Sequence, residues 1–177
     1  MFKNLPLAQV YQWLEPGPVV LLTTAHKGRI NVMTMSWHMM VEFEPPLIGC
    51  VVSGNDFSFA ALRATKQAAI AIPAAHLAEK IVGVGNCSGR EVDKFARFGL
   101  TALPAEKVQA PLVGECCINL ECQVVETRLV NKFNLFILET VKAWRDPAQP
   151  DPKFLHHAGY GRFIVDGEVL QLKSKMP

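Results

Sequence analysis

Apolar residues along the chain fall into two periods, one helical and one extended. Leu7, Val10, Tyr11 and Leu14 are spaced i, i+3, i+4, i+7, a single stripe of a short helix that Glu15-Pro16-Gly17-Pro18 stops. Val19 to Thr24, rich in β-branched residues, predicts a strand, and His26-Lys27-Gly28-Arg29 predicts the tight turn that returns the chain through a second strand, Ile30 to Trp37. Glu44-Pro45-Pro46 breaks the chain before Leu47-Ile48-Gly49-Cys50-Val51-Val52. That run is too apolar for a strand wet on one face, so it is placed centrally in its sheet. Ser53-Gly54-Asn55-Asp56 is turn chemistry, after which Phe57, Ala60, Ala61 and Ala64 repeat at helical spacing as far as Lys66. A short strand, Ala69 to Ile72, ends at Pro73, and Leu77, Ala78, Ile81 and Val82 form a second amphipathic helix closed by Gly83 and Gly85.

The second half is extended. Ile118, Leu120, Cys122 and Val124 alternate with Asn119, Glu121 and Gln123, which predicts a half-buried strand with one face toward solvent or a partner. Phe133 to Val141 is apolar on both faces, and Arg145 to Pro152 carries three prolines and reads as a loop. Phe163-Ile164-Val165 and Val169 to Leu172 flank Asp166-Gly167, the pattern of a tight hairpin. Six or more strands with few helices predict a mainly β architecture, a small antiparallel barrel or sandwich with helical insertions.

With 177 residues, half of them apolar, the chain fits one domain spanning 1–177. Charged residues make up 19%, the net charge is +2, and the cations are spread along the sequence, so no basic stripe for nucleic acid forms. A small anionic ligand is compatible with this balance. No apolar run reaches the roughly 18 residues that span a bilayer, and the first residues lack an export pattern; the expected location is the cytoplasm, away from membranes. Five cysteines without a C-x-x-C pair exclude a disulfide framework and a zinc ribbon, and His38, His76, His156 and His157 lack metal-ligand spacing.

Candidate chemistry concentrates in three stretches. Asn31-Val32-Met33-Thr34-Met35-Ser36-Trp37-His38 packs an amide, hydroxyls, thioethers and an indole into one extended segment. Period two puts Val32, Thr34 and Ser36 on one face and Asn31, Met33, Met35 and Trp37 on the other, a surface suited to a flat heteroaromatic ring, although an edge strand with wet hydroxyls and core methionines has the same pattern. Ser53-Gly54-Asn55-Asp56-Phe57-Ser58 lies where a strand feeds a helix, so free N–H groups and the positive end of the helix dipole can take a phosphate. Simple capping by Asp56 or Ser58 is the plainer account, and the Asp56 charge opposes an anion. Arg90 and Lys94, four residues apart, reach one ligand if they share a helical turn. Adjacent His156 and His157 point to opposite faces of any strand, so at most one enters a pocket. No G-x-S-x-G elbow is present, and the glycines from Gly83 to Gly89 lack the dinucleotide spacing.

Taken together, Pro16-Gly17-Pro18-Val19-Val20-Leu21-Leu22-Thr23-Thr24, Asn31 to Trp37, Pro45-Pro46-Leu47 and Gly85-Asn86-Cys87-Ser88-Gly89-Arg90-Glu91-Val92-Asp93-Lys94-Phe95 resemble the flavin reductase-like FMN-binding family, in particular its flavoredoxin branch. The resemblance implies a split β-barrel with Greek-key topology and short helical insertions, a homodimer, and non-covalent FMN in a groove near the dimer interface. It further implies that Asn31, Met33, Thr34, Met35, Ser36 and Trp37 line the isoalloxazine, with Val51 beside them. Ser53 and Ser58 are implied at the ribityl phosphate, helped by Lys94, Arg90 and Ser88. FMN carries the chemistry, so no catalytic side chain is required. NADH or NADPH is the implied transient hydride donor, with His157 as a candidate nicotinamide contact. A redox partner protein, free flavin or a ferric complex is the implied acceptor. The family likeness allows an electron carrier or a flavin reductase; the alternative is a non-enzymatic flavin-binding or dimerisation module on the same fold.

Overall fold

A computed structural model describes residues 17–170 and 172; the helical stripe Leu7 to Leu14 lies outside the described residues. Seven antiparallel strands form the main sheet: β1 (Val20–His26), β2 (Arg29–Met35), β3 (His38–Glu42), β4 (Leu47–Val51), β5 (Gln67–Ile72), β8 (Ile118–Glu126) and β9 (Leu135–Arg145). Their spatial order is β2-β1-β5-β8-β9-β4-β3. β2 and β3 therefore stand at opposite ends of the sheet although only Ser36 and Trp37 separate them. The sheet must curl until its ends meet, which makes a barrel with a seam at those two residues. The predicted return strand accordingly stops at Met35, because the chain there leaves one end of the sheet for the other. Across the seam His38 N donates to Ser36 O (3.1 Å) and Val51 N to Trp37 O (3.0 Å). The apolar run Leu47 to Val52 becomes β4, paired on both sides.

Inside the barrel Val20, Leu22, Met35, Cys50, Val52, Leu62, Ile70, Phe136 and Leu138 form one cluster, with Phe136 fully buried and Phe59 edge-on to it at 5.5 Å. Cys50 and Cys122 belong to this cluster, where burial pushes the Cys122 thiol up to about 12; both are free thiols acting as small hydrophobes. Helix α1 (Phe57–Thr65) contributes Leu62. Helices α2 (Ala78–Gly85) and α3 (Lys94–Phe98) cover a second cluster, Leu21, Val32, Ala71, Val84 and Phe95, on the outer face of β1 and β2. Gly83 lies inside α2 and does not close it: a Cβ there would stand 2.4 Å from the Phe98 ring, so glycine lets α3 approach. A short helix, α4 (Val130–Phe133), joins β8 to β9. No described helix is long and apolar enough to cross a membrane.

Two expectations are corrected here. The polar face of β8 does not meet solvent at Asn119 and Glu121, which are 7% and 0% exposed. The segment carrying β6 (Ala102–Leu103) and β7 (Leu112–Val113) crosses that face as a strap. Asn119 accepts from Val113 N (2.8 Å) and donates to Val113 O (3.1 Å), while Glu121 receives the N–H groups of Glu106, Lys107 and Val108 and the Trp144 indole (2.7 Å). Polar residues at period two thus mark a tethered segment, a pattern that the alternation alone cannot tell from a wet face. Second, Phe163–Val165 is β11 but pairs with β10 (Leu155–His157) upstream, and Val169, Leu170 and Leu172 are not in a strand. Asp166 turns back on β10 instead of opening a hairpin: Phe154 N donates to its Oδ2 at 2.9 Å.

Candidate functional site

Among the described residues β2 pairs only with β1, so every second residue of β2 turns its N–H and C=O outward along an open edge. The start of α1, the end of α2 and the loop into α3 face that edge. A cleft of about 290 Å³ lies between them, walled by Asn31, Met33 and Thr34 on one side and by Ser58, Ser88, Arg90 and Lys94 on the other. It meets a second cleft of about 260 Å³ at Thr34, Gly85 and Asn86, and this one runs on to Ser36, His157, Gly161 and Phe163. Together they make one groove along the edge of β2, with the Thr34 hydroxyl at the junction donating to Ile81 O (2.6 Å).

The first end suits an anion. Lys94 is 6% exposed and donates to Val84 O (2.8 Å), yet forms none of the ion pairs of the described residues. Burial lowers its pKa, with Cys87 and Asp56 acting in the opposite sense. A buried ammonium with two further N–H donors and no carboxylate in salt-bridge contact is under-satisfied. The α1 N-terminus points the same way, since Asp56 makes no side-chain cap and instead accepts from Ser53 N at 3.0 Å. That bond ties its carboxylate to the turn, but Asp56 still lines the cleft and acts on Lys94, so it remains an opposing charge beside the anion end. Ser58 is buried and accepts from Asn31 Nδ2 (2.8 Å), leaving its own proton to donate. Behind it Arg29 stacks 4.7 Å over the Phe57 ring and donates to Gly89 O. Gly89 is required by space: a Cβ would stand 2.1 Å from Asn31 Oδ1.

Of the residues expected at a site, the fold brings Asn31, Met33, Thr34, Ser58, Ser88, Arg90 and Lys94 into the first cleft and Ser36 and His157 into the second. Ser53 borders it, bonded to Asn55 and Asp56, which line the cleft. Three residues are not brought to the groove by their side chains. Met35 points into the barrel core, Trp37 is 54% exposed at the seam, and Val51 pairs with Leu135 of β9. Arg90 and Lys94 do not share a helical turn, because α3 begins at Lys94; Arg90 reaches the cleft from the preceding turn and donates to Asn55 O (3.0 Å). Sequence reasoning missed Arg29, Phe57, Gly85 and Gly89. Gly89 carried a signal, as a glycine between Ser88 and Arg90, but its contact across to Asn31 is tertiary.

The barrel, split at one seam, carries a groove along the edge of β2 with a buried cation at one end. Residues 14–163 match the flavin reductase like domain, and an uncharacterised protein of Escherichia coli, YddH, is 30% identical over 94% of this chain and 96% of its own length. The chain belongs to the flavin reductase like family. Flavoredoxin of Desulfovibrio vulgaris superposes with a TM-score of 0.85 at 24% identity, over 99% of this chain and 98% of that one. An FMN-binding domain of a flavin reductase-like enzyme from Shewanella baltica gives 0.82 at 24%, over 97% of each chain. These two likenesses fix the split-barrel fold.

Proposed function

We propose that the protein is an oxidoreductase that holds FMN non-covalently in the groove along β2. The observation that carries this reading is Lys94, a buried cation without a carboxylate in contact, set beside the uncapped N-terminus of α1. Lys94, Ser58 and the first N–H groups of α1 hold the phosphate, with Ser88 and Arg90 at the rim. The edge of β2 at Thr34, with Ser36 just past its end, faces the polar edge of the ring. Bound FMN supplies hydride and single-electron chemistry, and the chain's part is to bind, orient and tune it. A nicotinamide, from NADH or NADPH, enters at the His157 end, and free flavin, a ferric complex or a redox protein takes the electrons. The family membership and the neighbour described as FMN-binding support this reading.

A second copy of the chain covers the exposed apolar strip Met39, Met40, Val41 and Phe43 on and after β3, giving a homodimer. Anaerobic visible spectra of purified protein test the main reading. Stoichiometric FMN uptake followed by bleaching with NADH or NADPH is expected; folded protein that neither carries nor takes up FMN overturns it. Sedimentation at micromolar concentration tests the dimer, and a monomer there removes it.

A further inference from the structure

The β10–β11 hairpin walls the second cleft, and on its outer face one side chain bonds to the opposite arm. Period two puts Leu155 and His157 on one face of β10 and His156 on the other. Leu155 is buried against Val19, Leu77 and Ile81 with Phe163 packed beside it, so the hairpin lies against α2. His157 and Phe163 stand opposite each other in register, rings 5.3 Å apart, and both line the second cleft. On the far face Asp166 takes two bonds from the other arm: Phe154 N to Oδ2 at 2.9 Å and His156 Nε2 to Oδ1 at 2.7 Å. Asp166 N returns a bond to Phe154 O (3.2 Å). The hairpin has only three residues in each strand, and its loop carries positive φ at Gly159, Tyr160 and Gly161. A pairing this short is weak alone; β10 is anchored by Leu155 and by Val19 N donating to Leu155 O (2.6 Å), and the bonds to Asp166 tie the other arm to it at the open end.

We infer that Asp166 is a positioning residue that latches the two arms of this hairpin and so holds His157 and Phe163 as the wall past which a second reactant meets the ring. The inference rests on the FMN reading for what lies in the groove, but the latch itself is a property of the chain. Phe154 N–H and His156 both hold the Asp166 carboxyl below the usual aspartate range, in keeping with a carboxylate engaged on two sides.

The test compares wild type, D166A and D166N by amide hydrogen exchange over residues 154–165, FMN dissociation constant, and collisional quenching of bound FMN fluorescence by acrylamide. Asparagine keeps an acceptor for Phe154 N–H and, with the His156 proton on Nδ1, donates to Nε2, so it keeps both contacts without the charge and separates the latch from it. For D166A we expect exchange at least tenfold faster, confined to the hairpin, a quenching constant raised threefold or more, and FMN affinity within threefold of wild type. D166N is expected to stay close to wild type in all three. Unchanged exchange in D166A overturns the latch. FMN affinity and quenching protection lost together in D166A, without rescue by D166N, overturns the positioning role in favour of a general structural one. Wild type that binds no FMN removes the functional reading, and exchange on the free chain then decides the latch by itself.

Discussion

Two buried charges in this molecule have opposite surroundings. Glu121 is fully buried, and its two oxygens receive three backbone N–H groups and an indole N–H. Lys94 is almost as buried, yet it has one backbone carbonyl and an open cleft beside it. The contrast teaches how to read a buried ion. Where the chain itself supplies every partner, the charge is structural, here a peg that pins the strap over β5 and β8; where partners are missing toward a cavity, the charge is a candidate for binding an anion.

The largest effect expected from this contrast is at Glu121. E121A removes the acceptor shared by four N–H donors, of which Val108 N is buried and the others partly so, and should lower unfolding free energy by about 3 kcal/mol, read by urea denaturation, with FMN uptake retained in whatever folds. A loss below about 1 kcal/mol would show that the strap holds without its peg. Acid sharpens the same point. Burial alone would raise this carboxyl's pKa, but the Trp144 indole and the N–H groups of Lys107, Glu106 and Val108 outweigh it and hold it below the usual glutamate range. A carboxyl with a folded pKa below its unfolded value gives stability that is full above the unfolded value and lost as pH falls through the folded one. Stability measured downward from pH 5 should therefore fall more steeply in wild type than in E121Q; parallel profiles would contradict the sign.

Lys94 should behave the other way. Removing it in K94M takes away an under-satisfied charge, so the free chain should unfold no earlier than wild type, while FMN affinity drops about 100-fold, roughly 2.7 kcal/mol. Equilibrium titration with FMN and thermal unfolding without it check both halves. A variant that loses stability but keeps FMN would make Lys94 a second Glu121 and end the comparison.

The same contrast explains what was legible beforehand. Strands β1, β4, β5, β8 and β9 and helices α1 and α2 follow from local periodicity, and the cluster Ser53 to Ser58 was visible because turn and helix-start chemistry is local. The break at Ser36-Trp37 was not, since nothing in those two residues says that the chain crosses to the far end of the sheet; only closure of the barrel requires it. Alternation puts Glu121 on a face toward solvent or a partner, because it reports two faces without saying which part of the chain covers the polar one. Asp166-Gly167 has the sequence of a tight turn, and its bonds to Phe154 and His156, ten or more residues away, won over that local preference. Lys94 and Arg90 both line the cleft, but not through the shared helical turn that their spacing suggests, since α3 begins at Lys94.

The smallest effect is expected at Ser58, and it decides whether the groove has one anion site or two weak ones. Ser58 accepts from Asn31 and has a proton left for a ligand, so S58A should weaken FMN by about fivefold, near 1 kcal/mol. Its value lies in the double variant. If Lys94 and Ser58 touch the same phosphate, the losses in K94M and S58A should fall short of additive by 0.5 kcal/mol or more, because either change alone already loosens the group the other holds. Strict additivity would place the two residues on different parts of the ligand and would move the phosphate away from the start of α1.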